Sequence, residues 1–165
     1  MIMKNAITVV SAIIIILLNI GCDQCTKHYA RKHFMGAQSI HFIGDLAVIS
    51  YTENSGGFLS VGSNIRQPYK KILLTVFPAI LMALALIYLF TGRNLSYPEI
   101  FCICCILGGG ISNLSDRILY NGFVADFLNF GIGNIRTGIL NFADMSVFFG
   151  VIFLIIFNFK KHRSA

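Results

Sequence analysis

Three carboxylates lie close together in the second half of the chain, between two apolar runs. They are Asp116, Asp126 and Asp144, three of the seven acidic residues in the 165-residue sequence. Carboxylates beside membrane-spanning segments are unfavourable to bury and therefore indicate function by default. A span that leaves the bilayer near Arg117 and one that re-enters near Ile139 have those two ends on the same face. The sequence thus predicts that Asp126 and Asp144 share one membrane interface.

Two carboxylates at a low-dielectric interface form an acid–base pair, because both cannot ionise at low cost. The protonated member can protonate a carbonyl oxygen while the ionised member activates a water for peptide hydrolysis. Such a pair needs no cofactor and no metal. The sequence has no HExxH motif and no serine in a nucleophile elbow, and its four histidines are scattered. Asp126 and Asp144 are therefore the candidate catalytic pair of a carboxylate-only hydrolase.

The same residues also have ordinary structural interpretations. Asp116 can form an ion pair with the adjacent Arg117 at a helix end, and this structural role is the one we favour for it. Asn141 can cap the fourth helix, with Asp144 near the positive end of the helix dipole. The residues alone leave the catalytic and structural interpretations of Asp126 and Asp144 evenly balanced.

Three further polar residues have comparably ordinary interpretations. Asp23 and Lys27 are spaced i, i+4 and can form an ion pair on a helix surface. Asn54 precedes a double glycine and can be a simple turn residue.

The composition indicates an integral membrane protein. Hydrophobic residues make up 56% of the chain and charged residues 12%, about half the charged fraction of a soluble protein. The net charge is +6, but the basic residues flank apolar runs and no cluster of basic and aromatic residues accompanies them. Nucleic acid is therefore excluded as a partner, and membrane lipid is expected.

Four apolar runs predict four transmembrane helices in a single domain, residues 1–165. The predicted spans are about residues 5–22, 72–90, 99–117 and 139–159. Residues 38–66, with β-branched runs and a break at Gly44–Asp45, predict a small strand-bearing subdomain outside the bilayer, together with residues 120–138. In the third span, Gly108 and Gly109 permit close approach of another helix.

The cysteines allow two other interpretations. Cys22 and Cys25, and Cys102 and Cys105, form two C-x-x-C spacings, but consecutive spans place the two pairs on opposite faces, about 20 Å apart. One zinc ion cannot bind both pairs, and packing is the better interpretation of the second pair. The first apolar run, together with Cys22, is also similar to the signal peptide of a lipoprotein. In that interpretation, residues 1–21 would be removed from the mature protein. An uncleaved first helix fits the three later spans better.

Five motifs resemble those of one family, signal peptidase II, the lipoprotein signal peptidase of bacteria. Asp23-Gln24-x-Thr26-Lys27 resembles its D-Q-x-T-K motif, and Glu53 to Phe58 its N-T-G-A-A-F segment. Gly108-Gly109 with Asn113-Leu114-Ser115-Asp116-Arg117 resembles its G-G-A-x-G-N-L-x-D-R. Val124 to Phe127 resembles its V-V-D-F, and Asn141 to Asp144 its F-N-x-A-D. The motifs occur in the family's order, and the four-span layout is also similar.

The resemblance implies an all-α membrane protein with four transmembrane helices and a small extracytoplasmic β-containing subdomain. It implies an intramembrane aspartic endopeptidase that cleaves before the diacylglyceryl-modified cysteine of a prolipoprotein. Asp126 and Asp144 would be catalytic and Asp116 structural. Supporting or substrate-binding roles would belong to Asp23, Lys27, Asn54, Gly108, Gly109, Asn113, Arg117 and Asn141.

The resemblance also implies a location and leaves one alternative class. The enzyme would be a multi-pass protein of the bacterial inner membrane, with both termini cytoplasmic and the active site at the outer face. A monomer is expected. The alternative is a small transporter or channel that uses Asp126 and Asp144 as a proton or cation site. The apolar second and fourth spans weigh against such a conduit.

The chain departs from the family pattern at four positions. Gly57 and Gly110 stand where alanine is usual, Ser112 where glycine is usual, and Leu140 where phenylalanine is usual. None of these changes removes a chemical group that the two-aspartate mechanism needs. A second glycine beside Gly56 is expected to loosen this loop.

Overall fold

A computed structural model describes residues 6–92 and 95–163. In this part of the chain, four helices are long and apolar enough to cross a membrane. They are α1 (Ala6–Phe34), α2 (Tyr69–Thr91), α3 (Tyr97–Leu119) and α4 (Phe142–Arg163). The helical membrane fold with a small β-containing subdomain, which the sequence predicted, is thus confirmed. The predicted start of the first span, residue 5, lies outside the described residues.

Helix α1 continues well past residue 22, where its apolar run ends. The polar segment that follows remains helical until Phe34, and Gly36 then adopts a positive φ of 74° that ends the helix. Arg31, Lys32 and His33 occupy the last turn, where cations stabilise the negative end of the helix dipole. The extension places Asp23 and Lys27 inside a continuous helix.

The other three helices each have a distinct local feature near the N-terminal end. Ser96 and Glu99 form a capping box at the start of α3, in which the Glu99 carboxylate accepts a hydrogen bond from the Ser96 amide at 2.6 Å. In α2, a π-helical segment at Ile72–Val76 precedes Pro78, whose missing N–H frees a carbonyl in that turn. Helix α4 begins at Phe142, later than the predicted residue 139, because Leu140 still pairs with Leu128 as an isolated β-bridge.

The subdomain is a four-stranded antiparallel sheet. Its strands are β1 (Ile40–His41), β2 (Ala47–Asn54), β3 (Val124–Ile132) and β4 (Ile135–Arg136), in that spatial order. Strand β2 pairs with β3 so that Thr52 lies opposite Asp126 and Asn54 opposite Val124. The pairing joins the segment before α2 to the segment before α4.

Helix α3 is the centre of the bundle and contacts each of the other three helices. Its three consecutive glycines face three different neighbours. A Cβ atom on Gly108 would lie 2.5 Å from Asn19 Cβ in α1, and one on Gly109 would lie 2.5 Å from the Ala143 carbonyl oxygen in α4. A Cβ atom on Gly110 would meet the Met82 sulfur in α2. Close helix approach at Gly108 and Gly109 therefore depends on their lack of a side chain.

Helix α1 supplies part of the buried core. Ala12 and Ile16 pack with Ile103 and Leu107 of α3, and Leu89 of α2 joins the same cluster. Removal of residues 1–21, as the lipoprotein interpretation requires, would delete the first two of these side chains. The core therefore favours the uncleaved first helix.

Candidate active site

Asp126 lies on β3, directly beside the end of β2. Its side chain is buried, with 1% of its surface exposed. The Asn54 side-chain amide donates to Asp126 Oδ2 at 2.9 Å, and the Asn141 amide donates to Asp126 Oδ1 at 2.6 Å. The sequence placed Asp126 in a connection between spans; the structure makes that connection a strand. The pairing of β2 with β3 is what brings Asn54 to this carboxylate.

Asp144 lies in the first turn of α4, three residues after the cap. The Asn141 side-chain oxygen accepts a hydrogen bond from the Asp144 backbone N–H at 2.8 Å. In return, Asp144 Oδ2 accepts one from the Asn141 backbone N–H at 3.2 Å. This reciprocal cap fixes the Asp144 side chain. Because the Asn141 side chain also donates to Asp126, one residue contacts both carboxylates.

A second amide, Asn113 of α3, connects this pair to a buried lysine. Asn113 donates to Asp144 Oδ1 at 2.9 Å, while its own oxygen accepts from Lys27 Nζ at 2.6 Å. The ammonium group has no acceptor capacity, so it fixes which end of the Asn113 amide is the oxygen. Lys27 thereby orients the amide so that its N–H group points at Asp144.

Lys27 belongs to a buried cluster of charges rather than to a helix surface. Both Asp23 and Lys27 are 0% exposed, and their ion pair measures 2.6 Å. The interpretation as a surface pair is therefore wrong. Asp116 joins the cluster at 3.1 Å from Lys27 and 3.3 Å from Arg31. Two carboxylates and two cations balance each other, as burial requires.

The predicted ion pair between Asp116 and Arg117 is not formed. Successive residues of a helix point in different directions, and Asp116 faces α1 while Arg117 faces the segments at Gly56 and Gly122, just outside β2 and β3. Arg117 donates to the carbonyl oxygens of Gly56 at 2.7 Å and Gly122 at 3.2 Å. Asp116 is thus part of the α1–α3 contact, and Arg117 holds the loop that follows Asn54.

That loop is also held by Asn54. Its side chain donates to the Gly57 carbonyl at 3.0 Å and accepts from the Gly56 amide at 2.8 Å. Asn54 is therefore a turn residue as well as a hydrogen-bond donor to Asp126. A Cβ atom on Gly56 would lie 2.5 Å from the Ser60 backbone, whereas one on Gly57 would have only ordinary contacts at 3.5 Å.

Three residues to which the sequence assigned no role complete the buried cluster: Gln24, Arg31 and Ser112. The Ser112 hydroxyl donates to Asp23 at 2.7 Å and accepts from Gln24 at 2.9 Å. Asp23 in turn accepts from the Ala143 amide at 2.8 Å, next to Asp144. The signal available for Arg31 was its spacing, because Asp23, Lys27 and Arg31 follow at i, i+4 and i+8 on one helix face.

The pKa of Asp126 is raised from 3.8 to about 7. Burial is the main cause, since it disfavours the charged form, and the neighbouring Asp144 carboxylate is the second. The amides of Asn54 and Asn141 act in the opposite direction but do not outweigh burial. Asp126 therefore holds a proton under conditions in which an ordinary aspartate has lost it, as an acid–base pair requires.

An apolar cavity of about 200 Å³ opens beside Asp144. Phe58 from the loop after β2, Phe130 from β3 and Phe148 from α4 line it, and the Phe58 and Phe148 rings are stacked at 6.3 Å. Asp126 does not line this cavity. Within residues 6–92 and 95–163, no group of three or more histidine, cysteine, aspartate or glutamate side chains is arranged to hold a metal ion.

Several known proteins are similar to this chain. The family model described as signal peptidase (SPase) II matches residues 14–160. A lipoprotein signal peptidase of Borrelia duttonii (strain Ly) is 34% identical over 97% of this chain and 96% of its own length. The lipoprotein signal peptidase of Francisella tularensis subsp. novicida (strain U112) is 32% identical over 92% and 93%.

A solved bacterial membrane enzyme has a similar fold. Its TM-score is 0.78 at 23% identity, over 92% of this chain and 89% of that chain. Because the family model covers most of the sequence and the curated relatives align over nearly their full lengths, the chain belongs to the signal peptidase II family.

Proposed function

We propose that this protein is an aspartic endopeptidase that removes signal peptides from prolipoproteins, with Asp126 and Asp144 as the catalytic pair. The observation that carries the proposal is the contact of Asn141 with both carboxylates, next to a buried Asp126 whose pKa is about 7. Membership of the signal peptidase II family supports a peptidase that acts on lipoprotein precursors. The aspartic mechanism is our inference from the site.

The reaction begins with Asp126 protonated and Asp144 ionised. Asp144 removes a proton from a water, whose oxygen forms a bond to the scissile carbonyl carbon, while Asp126 donates its proton to the carbonyl oxygen. Collapse of the tetrahedral intermediate breaks the C–N bond, and the departing amine takes the proton from Asp144. The hydroxyl proton of the intermediate returns to Asp126, so the pair regains its single proton. No covalent enzyme intermediate forms.

The apolar cavity beside Asp144 suits a substrate that carries lipid. Its lining is aromatic and aliphatic, and it lies at the N-terminal end of the membrane helix α4. A diacylglyceryl-modified cysteine brought against this cavity would present the preceding peptide bond to Asp144. This site therefore favours a lipid-modified precursor over an unmodified one.

The remaining residues of the site have supporting roles in this proposal. Asn113 and Asn141 orient the pair, and Asn54 with Arg117 holds the loop that borders it. Gly108 and Gly109 permit the close helix contacts beneath the site. Asp23, Lys27 and Asp116 form the buried cluster, in which Asp116 is structural.

The site is expected to work in a monomer at the outer face of the bacterial inner membrane. Every side chain assigned to the mechanism comes from one chain. The transporter alternative lacks support, because a conduit needs polar side chains through the membrane depth. Helix α2, in contrast, is apolar over a length sufficient to cross a membrane.

The test is cleavage of a diacylglyceryl-modified precursor by the purified protein in detergent micelles. Asp126→Asn and Asp144→Asn preserve shape but prevent the pair from sharing one proton, so each should lower the turnover rate by at least about 10⁴-fold. Because the residues act as a unit, the double variant should be no worse than either single variant. Release of the signal peptide is measured by mass spectrometry.

A matched control is Glu53→Gln, which neutralises an exposed carboxylate next to Asn54 on β2. It should leave turnover close to that of the parent. Treatment with a chelator should have no effect. Substantial cleavage by either aspartate variant, or activity lost to a chelator and restored by zinc, would exclude the two-aspartate mechanism.

A further inference from the structure

A second cavity, of about 400 Å³, lies at the ends of α2 and α3 on the active-site side of the bundle. Lys70 and Lys71 come from the first turn of α2, and Arg117 comes from the last turn of α3. Neither Asp126 nor Asp144 lines it. The cavity is therefore separate from the apolar cavity beside Asp144. Its charged side chains are positive, whereas the pair Asp126 and Asp144 consists of acidic groups.

Two of these three cations, Lys70 and Arg117, are held by neutral groups. Lys70 donates to the Ser55 hydroxyl at 2.9 Å and to the Ser63 carbonyl at 2.7 Å, and Arg117 donates to backbone carbonyls. In the described part of the chain, no carboxylate forms an ion pair with Lys70, Lys71 or Arg117. The carboxylates that act on Arg117 from a distance belong to the catalytic site and the buried cluster.

The cavity also presents polar side chains that suit an oxyanion. Gln67, Thr75 and Asn121 contribute amide and hydroxyl groups to its lining. Next to them, Leu74, Ile118 and Phe123 provide an apolar wall. Two or three positive charges beside neutral donors are the usual chemistry for binding phosphate, and the apolar wall suits the start of an acyl chain.

The position in the fold points to the source of the phosphate. Residues in the first turn of one membrane helix and the last turn of the next lie at the depth of lipid headgroups. Lysine and arginine at this depth attract anionic lipids. We propose that this cavity, lined by Lys70, Lys71 and Arg117, binds a phosphate group, carried by an anionic phospholipid of the surrounding membrane.

The proposal does not depend on the catalytic mechanism, and it is tested by binding alone. The full chain, purified in a neutral detergent at fixed ionic strength, is titrated with short-chain phosphatidylglycerol while its thermal unfolding is followed. A ligand that binds only the folded state raises the Tm with its own concentration dependence, which gives an apparent Kd. Separate titrations use inorganic phosphate and the zwitterionic short-chain phosphatidylcholine.

We expect a saturable rise in Tm with phosphatidylglycerol and a much smaller rise with phosphatidylcholine. Lys71→Gln should weaken the apparent Kd by roughly fivefold, and Lys70→Gln with Lys71→Gln by more than about tenfold. Lys71 is exposed and makes no hydrogen bond in the described chain, so its variant should fold normally. The matched control Lys32→Gln removes one exposed charge from the end of α1, outside the cavity, and should not change the Kd.

The titrations also distinguish the two sources of phosphate. Saturation by inorganic phosphate at the same concentration as the lipid would support the phosphate site but assign it to the free anion. Absence of a saturable effect with either ligand would overturn the proposal. Equal weakening by Lys71→Gln and Lys32→Gln would also overturn it, because it would indicate attraction to the overall charge rather than to this cavity.

Discussion

In the proposed mechanism, Asp126 is the residue whose environment determines the chemistry of the site. Burial and the nearby Asp144 raise its pKa to about 7, although two amides donate hydrogen bonds to it. The proton on Asp126 can be observed directly as the carbonyl stretch of a protonated carboxyl group in difference infrared spectra. In the parent protein, this band should titrate with a midpoint near pH 7.

Substitution of Asp144 separates the two causes of this shift. Asp144→Asn removes the neighbouring charge but leaves the burial, so the midpoint should fall by on the order of one pH unit and stay above that of a free aspartate. Asp126→Asn should remove the band. A midpoint that does not move in Asp144→Asn would mean that the two carboxylates are not coupled.

The same proton makes folding depend on pH. Between about pH 4 and about pH 7 the folded protein holds a proton that the unfolded chain has released, because the pKa is raised from 3.8. This contribution to stability is fully present below that window and is lost as the pH rises through it. Asp126→Asn should therefore flatten the decline in Tm across the window, whatever its effect at a single pH.

At the scale of elements, helix α3 positions the site through its glycines. An alanine in the middle of a helix is normally more stable than a glycine by about 1 kcal/mol. At Gly109, however, the added Cβ would lie 2.5 Å from the Ala143 carbonyl oxygen, a backbone atom that cannot move without α4. Since Asp144 follows Ala143 directly, any displacement of α4 at Ala143 also moves a carboxylate of the proposed catalytic pair.

We therefore expect Gly109→Ala to lower the Tm by several degrees and the turnover rate by at least about tenfold, given the sensitivity of catalysis to small misplacements. The matched control is Gly110→Ala, because the three atoms nearest to its added Cβ all belong to the flexible Met82 side chain. Alanine is also the residue that the family resemblance implies at this position. Activity of Gly109→Ala equal to that of Gly110→Ala would contradict the proposed role of the α3–α4 contact.

The sequence predicted the helices well and their contacts poorly. Long apolar runs are local signals, and in the structure they are helices. The burial of Lys27 and the pairing of Asp116 with Arg31 were not predictable, because both depend on how α1 lies against α3. Local spacing identifies a helix face but not what covers it.

Contacts that depend on strand pairing were also not predictable from the sequence. The sequence placed Asp126 in a segment between two spans, and the family motif singled it out. Its contact with Asn54 arises from the register of β2 against β3, between residues 72 positions apart. The added glycine at Gly57 was expected to loosen its loop, but that loop is held by Asn54 and Arg117. The expected flexibility of the loop at Gly57 stays a prediction.

For the whole molecule, the charges do not by themselves decide the orientation in the membrane. Arg66, Lys70, Lys71, Arg117 and Arg136 lie on the side of the sheet, while the end of α4 carries its own basic residues. Basic residues favour the cytoplasmic face, so the two sides compete. A phosphate site at Lys70 and Lys71 would offer a separate reason for cations on the side of the sheet.

The last prediction is therefore the topology, tested at four positions. Four spans place the loop at Gly62, between α1 and α2, and the turn at Gly133, between β3 and β4, on one face. Gly92, after α2, and the C-terminus belong to the other. Fusions of alkaline phosphatase, which folds only outside the cytoplasm, should be active at Gly62 and Gly133. Fusions of a fluorescent protein at Gly92 and the C-terminus should fluoresce in the cytoplasm.

Opposite results for Gly62 and Gly133 would contradict the four-span layout, because the β2–β3 pairing requires both segments on one face. Reversed results at all four positions would keep the fold but place the proposed catalytic pair, Asp126 and Asp144, at the cytoplasmic face, contrary to the proposed location.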